Sequence, residues 1–128
     1  MTVAKLERWL SFLPPQERTQ PVITVEGQAL TPENMLSEAR TGTELGKKVQ
    51  MLWESGAIGT EEELLTERIR RRLERYPPDK PLFFVLGAPS ALTPRDLLEQ
   101  VEKRTAVGQK FLQSEKTYLK YLDELRKR

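Results

Sequence analysis

One four-residue string occurs twice in this chain and limits what it can fold into. Ala29-Leu30-Thr31-Pro32 recurs as Ala91-Leu92-Thr93-Pro94, and the match runs on at the same offset through Leu36/Leu98, Thr43/Thr105, Gly46/Gly108 and Lys48/Lys110. That makes 8 identities in the 20 positions from 29 to 48, where unrelated segments of average composition share roughly one. Asn34/Asp96, Met35/Leu97, Ala39/Val101, Leu45/Val107 and Val49/Phe111 are conservative pairs. Each copy follows a Pro-led apolar stretch ending in Gly, Pro21–Gly27 and Pro81–Gly87, and the second connection to the shared string is two residues longer. A chain of 128 residues therefore reads as two related units rather than one continuous pattern.

The shared pattern has a physical meaning. Thr before Pro starts a helix: the hydroxyl satisfies an orphan N–H, and Pro at the first helical position has no N–H to satisfy. Met35, Leu36 and Ala39, and in turn Leu97, Leu98 and Val101, place one apolar stripe on that helix. The stripe stops near Gly42 and near Arg104. Thr43 and Thr105 then cap a second helix, with Leu45, Val49, Leu52 and Trp53 inward in the first copy. In the second copy the inward set is Val107, Phe111, Tyr118, Leu122 and Leu125. Gly46 and Gly108 sit in the first turn of this helix, where Gly costs about 1 kcal/mol relative to Ala. Their recurrence implies a close backbone approach.

Each unit thus reads as strand, turn, helix, helix. The expected fold is mainly α with a minor β component: two strand-helix-helix pseudo-repeats packed about a pseudo-two-fold axis. Their strands pair antiparallel into a short two-stranded ribbon, which needs helices on its face to be stable. An N-terminal and a central connecting helix complete it. One domain spans 1–128: helix and linker over 1–20, the first pseudo-repeat over 21–56, a connecting basic helix over 57–80, and the second pseudo-repeat over 81–128. In the N-terminal helix Leu6, Trp9, Leu10 and Leu13 face inward. Pro14-Pro15 ends it and Gln16–Gln20 is a polar linker. Thr60 with Glu63 forms a capping box, and Leu64, Leu65, Ile69, Leu73 and Tyr76 face inward from the helix it starts. The distal half of the last helix, Tyr118 to Arg128, is longer than its twin requires and is expected to project onto another chain or to fray.

Cysteine and histidine are both absent. Disulfide frameworks, Cys/His zinc sites, thiol nucleophiles and histidine general bases are excluded. No stretch approaches the roughly 20 apolar residues of a membrane span, and Met1–Arg8 lacks the pattern of a signal peptide. A cytoplasmic location is expected. Residues 1–64 carry 6 Lys/Arg and 10 Asp/Glu, whereas 65–128 carry 15 and 9. The net charge of +2 therefore hides an acidic and a basic half, suited to faces that meet within the fold or between copies.

Motif-like segments are weak. Gly42–Lys48 is one residue short of the phosphate-loop spacing and no Ser or Thr follows the Lys. Glu61, Glu62 and Glu63 are consecutive and point in different directions on a helix, as helix-start electrostatics requires and a metal site does not. The helix pairs have the outline of a helix-turn-helix, but the first two positions of the second helix, Glu44-Leu45 and Ala106-Val107, are acidic or apolar in both copies, which is poor for reading bases. The densest cationic run is Glu67–Arg75. Its Arg68, Arg70, Arg71, Arg72 and Arg75, with Lys110, Lys120, Tyr121 and Arg126 of the last helix, form the candidate partner- or anion-binding surface. No catalytic, cofactor-binding or metal-ligating residue is assigned. The expected function is a non-enzymatic interaction or assembly protein that presents helical faces to itself, as a homodimer, or to a protein partner. The alternative is a small nucleic-acid-binding protein using the arginine cluster and the basic last helix.

Overall fold

The computed structural model describes residues 2–55, 59 and 61–127. It is mainly helical with one two-stranded antiparallel sheet. In chain order the elements are α1 (Thr2–Phe12), a 3-10 turn (Pro15–Thr19), β1 (Ile23–Val25), β2 (Gln28–Leu30), α2 (Pro32–Thr41), α3 (Glu44–Ser55), α4 (Glu62–Leu73), α5 (Pro94–Glu102) and α6 (Ala106–Arg126). The chain divides into two compact units, Met1–Leu64 with Tyr118–Arg128, and Leu65–Thr117.

In the first unit α1 buries Leu6, Trp9 and Leu10, with Leu13 beyond its end, and packs on α2. The expected polar linker is instead folded down. Glu17 and Gln20 are buried in and just after the 3-10 turn, and Arg18 Nε donates to the Leu10 carbonyl at 3.1 Å. The strands pair with each other, Ile23 against Leu30. The ribbon is thus a hairpin inside the first related segment, not a pairing between the two segments. The reason is local: Glu26 and Gly27 both take positive φ, 52° and 79°, the signature of the two-residue turn whose twist matches an antiparallel pair. Val25 is buried, while Thr24 and Glu26 face solvent.

The second unit contains a reduced form of the same hairpin. Phe83 and Leu92 form one antiparallel bridge, exchanging N–H···O bonds of 3.0 and 2.7 Å. Gly87 has φ 92°, 60 residues after Gly27. The Leu82 N–H also donates to the Leu92 carbonyl, at 3.1 Å.

Beyond the hairpins, equivalent positions behave alike. Thr31 Oγ1 accepts from Asn34 N at 3.1 Å, and Thr93 Oγ1 accepts from Asp96 N at 3.0 Å. Pro32, Met35 and Ala39 are buried on α2, and Pro94, Leu97 and Val101 on α5. Gly42 and Arg104 both take left-handed backbone, φ 69° and 53°. Thr43 and Thr105 each accept the N–H of the glycine three residues on. A Cβ on Gly46 would lie 2.0 Å from the Glu38 carbonyl oxygen, and one on Gly108 would lie 2.0 Å from that of Gln100. The close approach expected from the sequence is therefore that of the preceding helix's own last turn.

Two expectations for the helices are corrected. On α6 the buried face is Gly108, Leu112, Glu115, Leu119, Leu122 and Leu125, rotated from the predicted Val107–Phe111–Tyr118 line, whose members are only half-buried. The distal part of α6 does not project. It belongs to the first unit, where Leu119 and Leu122 are fully buried and the Leu122 carbonyl accepts the Trp9 Nε1–H at 2.9 Å. On α4, Leu64, Leu65, Ile69 and Leu73 are buried as expected, but Tyr76 lies past the helix end, 44% exposed, with its ring edge-on to Phe83 at 5.6 Å. Thr60, the expected cap of α4, and Gly56, the expected end of the first pseudo-repeat, lie outside the described residues.

Candidate functional site

The arginine run is largely engaged by carboxylates. Helical spacing sends Arg68 and Arg72 to one side of α4, and both reach Glu115 of α6. Arg68 Nε donates to Glu115 Oε1 at 2.8 Å, and an Arg72 terminal nitrogen donates to the two carboxylate oxygens at 2.8 and 2.7 Å. Arg68 is fully buried and Glu115 nearly so, so Arg68 is a core residue and no part of a surface. Arg71 donates to Glu67 at 3.1 Å, and Arg70 spans Glu67 and Glu102 at 2.6 and 3.3 Å. These pairs cancel much of the field that four arginines would project. Arg75 is exposed.

The α6 residues separate. Lys110 and Lys120 are exposed, and Tyr121 is 53% exposed with its ring 6.1 Å from that of Tyr118. Arg126 is turned inward. It donates to Asp123 and to the Trp53 carbonyl, and lies over the Trp53 ring at 5.1 Å. It is one wall of a cleft of about 560 Å³ in the first unit, together with Lys5, Arg8, Phe12, Trp53 and Lys127. Trp53 is itself 5% exposed, and the open aromatic surface at the cleft is that of Phe12, 45% exposed. Lys103 is held above the usual lysine value by the hydrogen bond and charge of Glu99, an ion pair at the end of α5. Among the described residues no group of three carboxylates could hold a metal ion, and no helix is long and apolar enough to cross a membrane.

The least conventional surface is the second hairpin, which sequence reasoning did not single out. Phe84 is 89% exposed and Leu86 is 87% exposed. Phe83 and Val85 are half-buried, whereas Phe84, next to the bridge, and Leu86, in the turn closed by the Ala88 N–H on the Val85 carbonyl, are exposed. The corresponding outward residues of the first hairpin, 60 positions earlier, are Thr24 and Glu26, and Glu26 is ion-paired to Lys48 of α3. The aligned positions thus carry polar side chains in one hairpin and large apolar ones in the other, although the turns differ, Glu26 taking positive φ and Leu86 not. The signal was present in the sequence as the Pro21–Gly27 and Pro81–Gly87 alignment, but only the structure says which alternate residues face out.

Comparison with known protein families, curated proteins and solved structures finds no match to this chain.

Proposed function

We propose that this is a non-enzymatic interaction or assembly protein acting in the cytoplasm. It is built from two pseudo-repeats, of which the second has become the contact module. The exposure of Phe84 and Leu86 carries this reading. Two large apolar side chains held nearly fully in water on adjacent outward positions are costly, since burying each would contribute roughly 1.5–3 kcal/mol. Contiguous apolar exposure on a folded chain marks a surface meant to be covered. The polar residues at the matching positions of the first hairpin indicate that the architecture does not need apolar ones there.

That comparison supplies the test. In Phe84→Thr/Leu86→Glu the second hairpin carries the outward residues of the first. The double variant is expected to fold with stability within about 0.5 kcal/mol of the parent and to lose association, measured by light scattering and by retention of polypeptides from a lysate. A parent chain that is strictly monomeric and retains nothing the double variant fails to retain would overturn the proposal.

A further inference from the structure

We infer that the cleft in the first unit is a binding site for a small organic anion with a flat aromatic body. The inference is independent of Phe84 and Leu86, which belong to the other unit.

Positive charge is concentrated in the cleft against the composition around it. Residues 1–64 with 118–128 carry 10 Lys/Arg and 12 Asp/Glu, so the unit as a whole is negative. Among the described residues, four of those cations line the cleft, Lys5, Arg8, Arg126 and Lys127, against one carboxylate, Glu54. Two of the four are already matched, Arg126 by Asp123 at 2.8 Å and Lys127 by Glu124 at 3.3 Å. Lys5 and Arg8 have no carboxylate partner among the described residues. They stand three residues apart on α1 and therefore on one side of it. Two unmatched cations on the wall of a cleft focus their field into it and raise the local concentration of anions.

An apolar platform adjoins them. Phe12 follows Arg8 by one turn of α1, with the Arg8 guanidinium 5.6 Å from its ring centroid. The core face of α1 is made by Leu6, Trp9 and Leu10, and Phe12 stands off it, 45% exposed. Behind it the Trp9 and Trp53 rings meet at 5.2 Å, and the Arg126 guanidinium lies 5.1 Å from the Trp53 ring, which makes a packed floor. A flat ring seated against Phe12 takes water off an aromatic face. Its acidic group then reaches Arg8 and Lys5, where the hydrogen bonds are charge-assisted.

Glu54 does not oppose this placement. Its Oε1 accepts from the Thr2 hydroxyl at 2.7 Å. Thr2 precedes Phe12 by ten residues, about 15 Å along the helix axis, so the carboxylate is held at the end of the cleft away from the ring. The volume of about 560 Å³ is that of a small-molecule site, which runs from roughly 300 to 1,000 Å³, and admits a molecule of one or two rings.

The test is a titration of isotope-labelled protein followed by NMR. Three probes separate the features of the ligand: 2-naphthoate, its neutral isostere naphthalene-2-carboxamide, and inorganic phosphate. Both tryptophans of the chain line the cleft, so their indole N–H signals report on it directly. Naphthoate is expected to shift both indole signals and the backbone amides of residues 5–12, saturating with a half-point on the order of 0.1–1 mM. The carboxamide and phosphate are each expected to bind at least about tenfold more weakly. In Lys5→Gln/Arg8→Gln, which replaces two exposed side chains, the rest of the spectrum is expected to stay in place while naphthoate affinity falls about tenfold or more. Phe12→Ala is expected to weaken naphthoate about fivefold. No saturable shift in the cleft up to about 10 mM, or shifts confined to Phe84 and Leu86, overturns the assignment. So does a carboxamide or phosphate that binds as tightly as naphthoate, or an affinity unchanged by Lys5→Gln/Arg8→Gln. None of these outcomes alters the reading of Phe84 and Leu86, which the association experiments decide separately.

Discussion

Glu115 is the residue whose role departs most from its chemistry. It lies 62 positions after Trp53, and both are buried. Where the first related segment fills a core position with an indole, the second fills it with a carboxylate, and Arg68 and Arg72 of α4 compensate its charge. Taking these charges out of water costs several kcal/mol per ion, and the ion pairs offset it only while all partners remain. Glu115→Ala is therefore expected to destabilise the protein by about 3–5 kcal/mol in chemical denaturation, because the buried Arg68 loses its ion pair to Glu115. Adding Arg68→Met to Glu115→Leu should recover most of that loss, since Arg72 is 46% exposed and can solvate its own charge. A Glu115→Ala loss below about 1 kcal/mol would show that water reaches Arg68. The charged Glu115 also explains why the buried face of α6 was misplaced from sequence. A glutamate between Leu112 and Leu119 breaks the apolar period and leaves Phe111 and Tyr118 as the more continuous apolar line.

Helix-to-helix turns were legible because they depend on short-range chemistry. Thr31, Thr93, Thr43 and Thr105 cap as their residue type and position dictate, and a cap involves only the next three residues. The two glycines were legible for the same reason. The carbonyls that exclude a Cβ belong to Glu38 and Gln100, each eight residues earlier. Gly46→Ala and Gly108→Ala, changes that favour an isolated helix by about 1 kcal/mol, are each expected to destabilise this protein by about 2 kcal/mol or more, because backbone must move to admit the methyl. A thermal melt showing either variant as more stable than the parent would contradict the close approach. The hairpins were less legible. A strand followed by a turn residue does not reveal its partner, and the Glu26-Gly27 turn returns the chain on itself before the second segment can compete. The fate of distal α6 was not legible at all, since nothing local distinguishes a projecting amphipathic helix from one that buries Leu119, Leu122 and Leu125.

Across the chain, the basic half proves less available than its count suggests. Arg68 and Arg72 are engaged by Glu115, Arg70 by Glu67 and Glu102, and Arg71 by Glu67. Titration with duplex DNA at 50 and 200 mM salt is expected to show no steeply salt-dependent binding; a loss of about 10³-fold or more across that range would restore a nucleic-acid role. Composition, the duplicated string and the caps follow from residue types and separations of a few positions, so one dimension suffices to read them. The charges required three. Whether an arginine meets solvent or a buried glutamate 47 residues away, and whether Phe84 or Phe83 faces water, depends on which surfaces the folded chain brings together and which it leaves open. Helix capping and exclusion of histidine or cysteine chemistry were therefore settled by sequence, while the identity of the exposed surface was decided by packing.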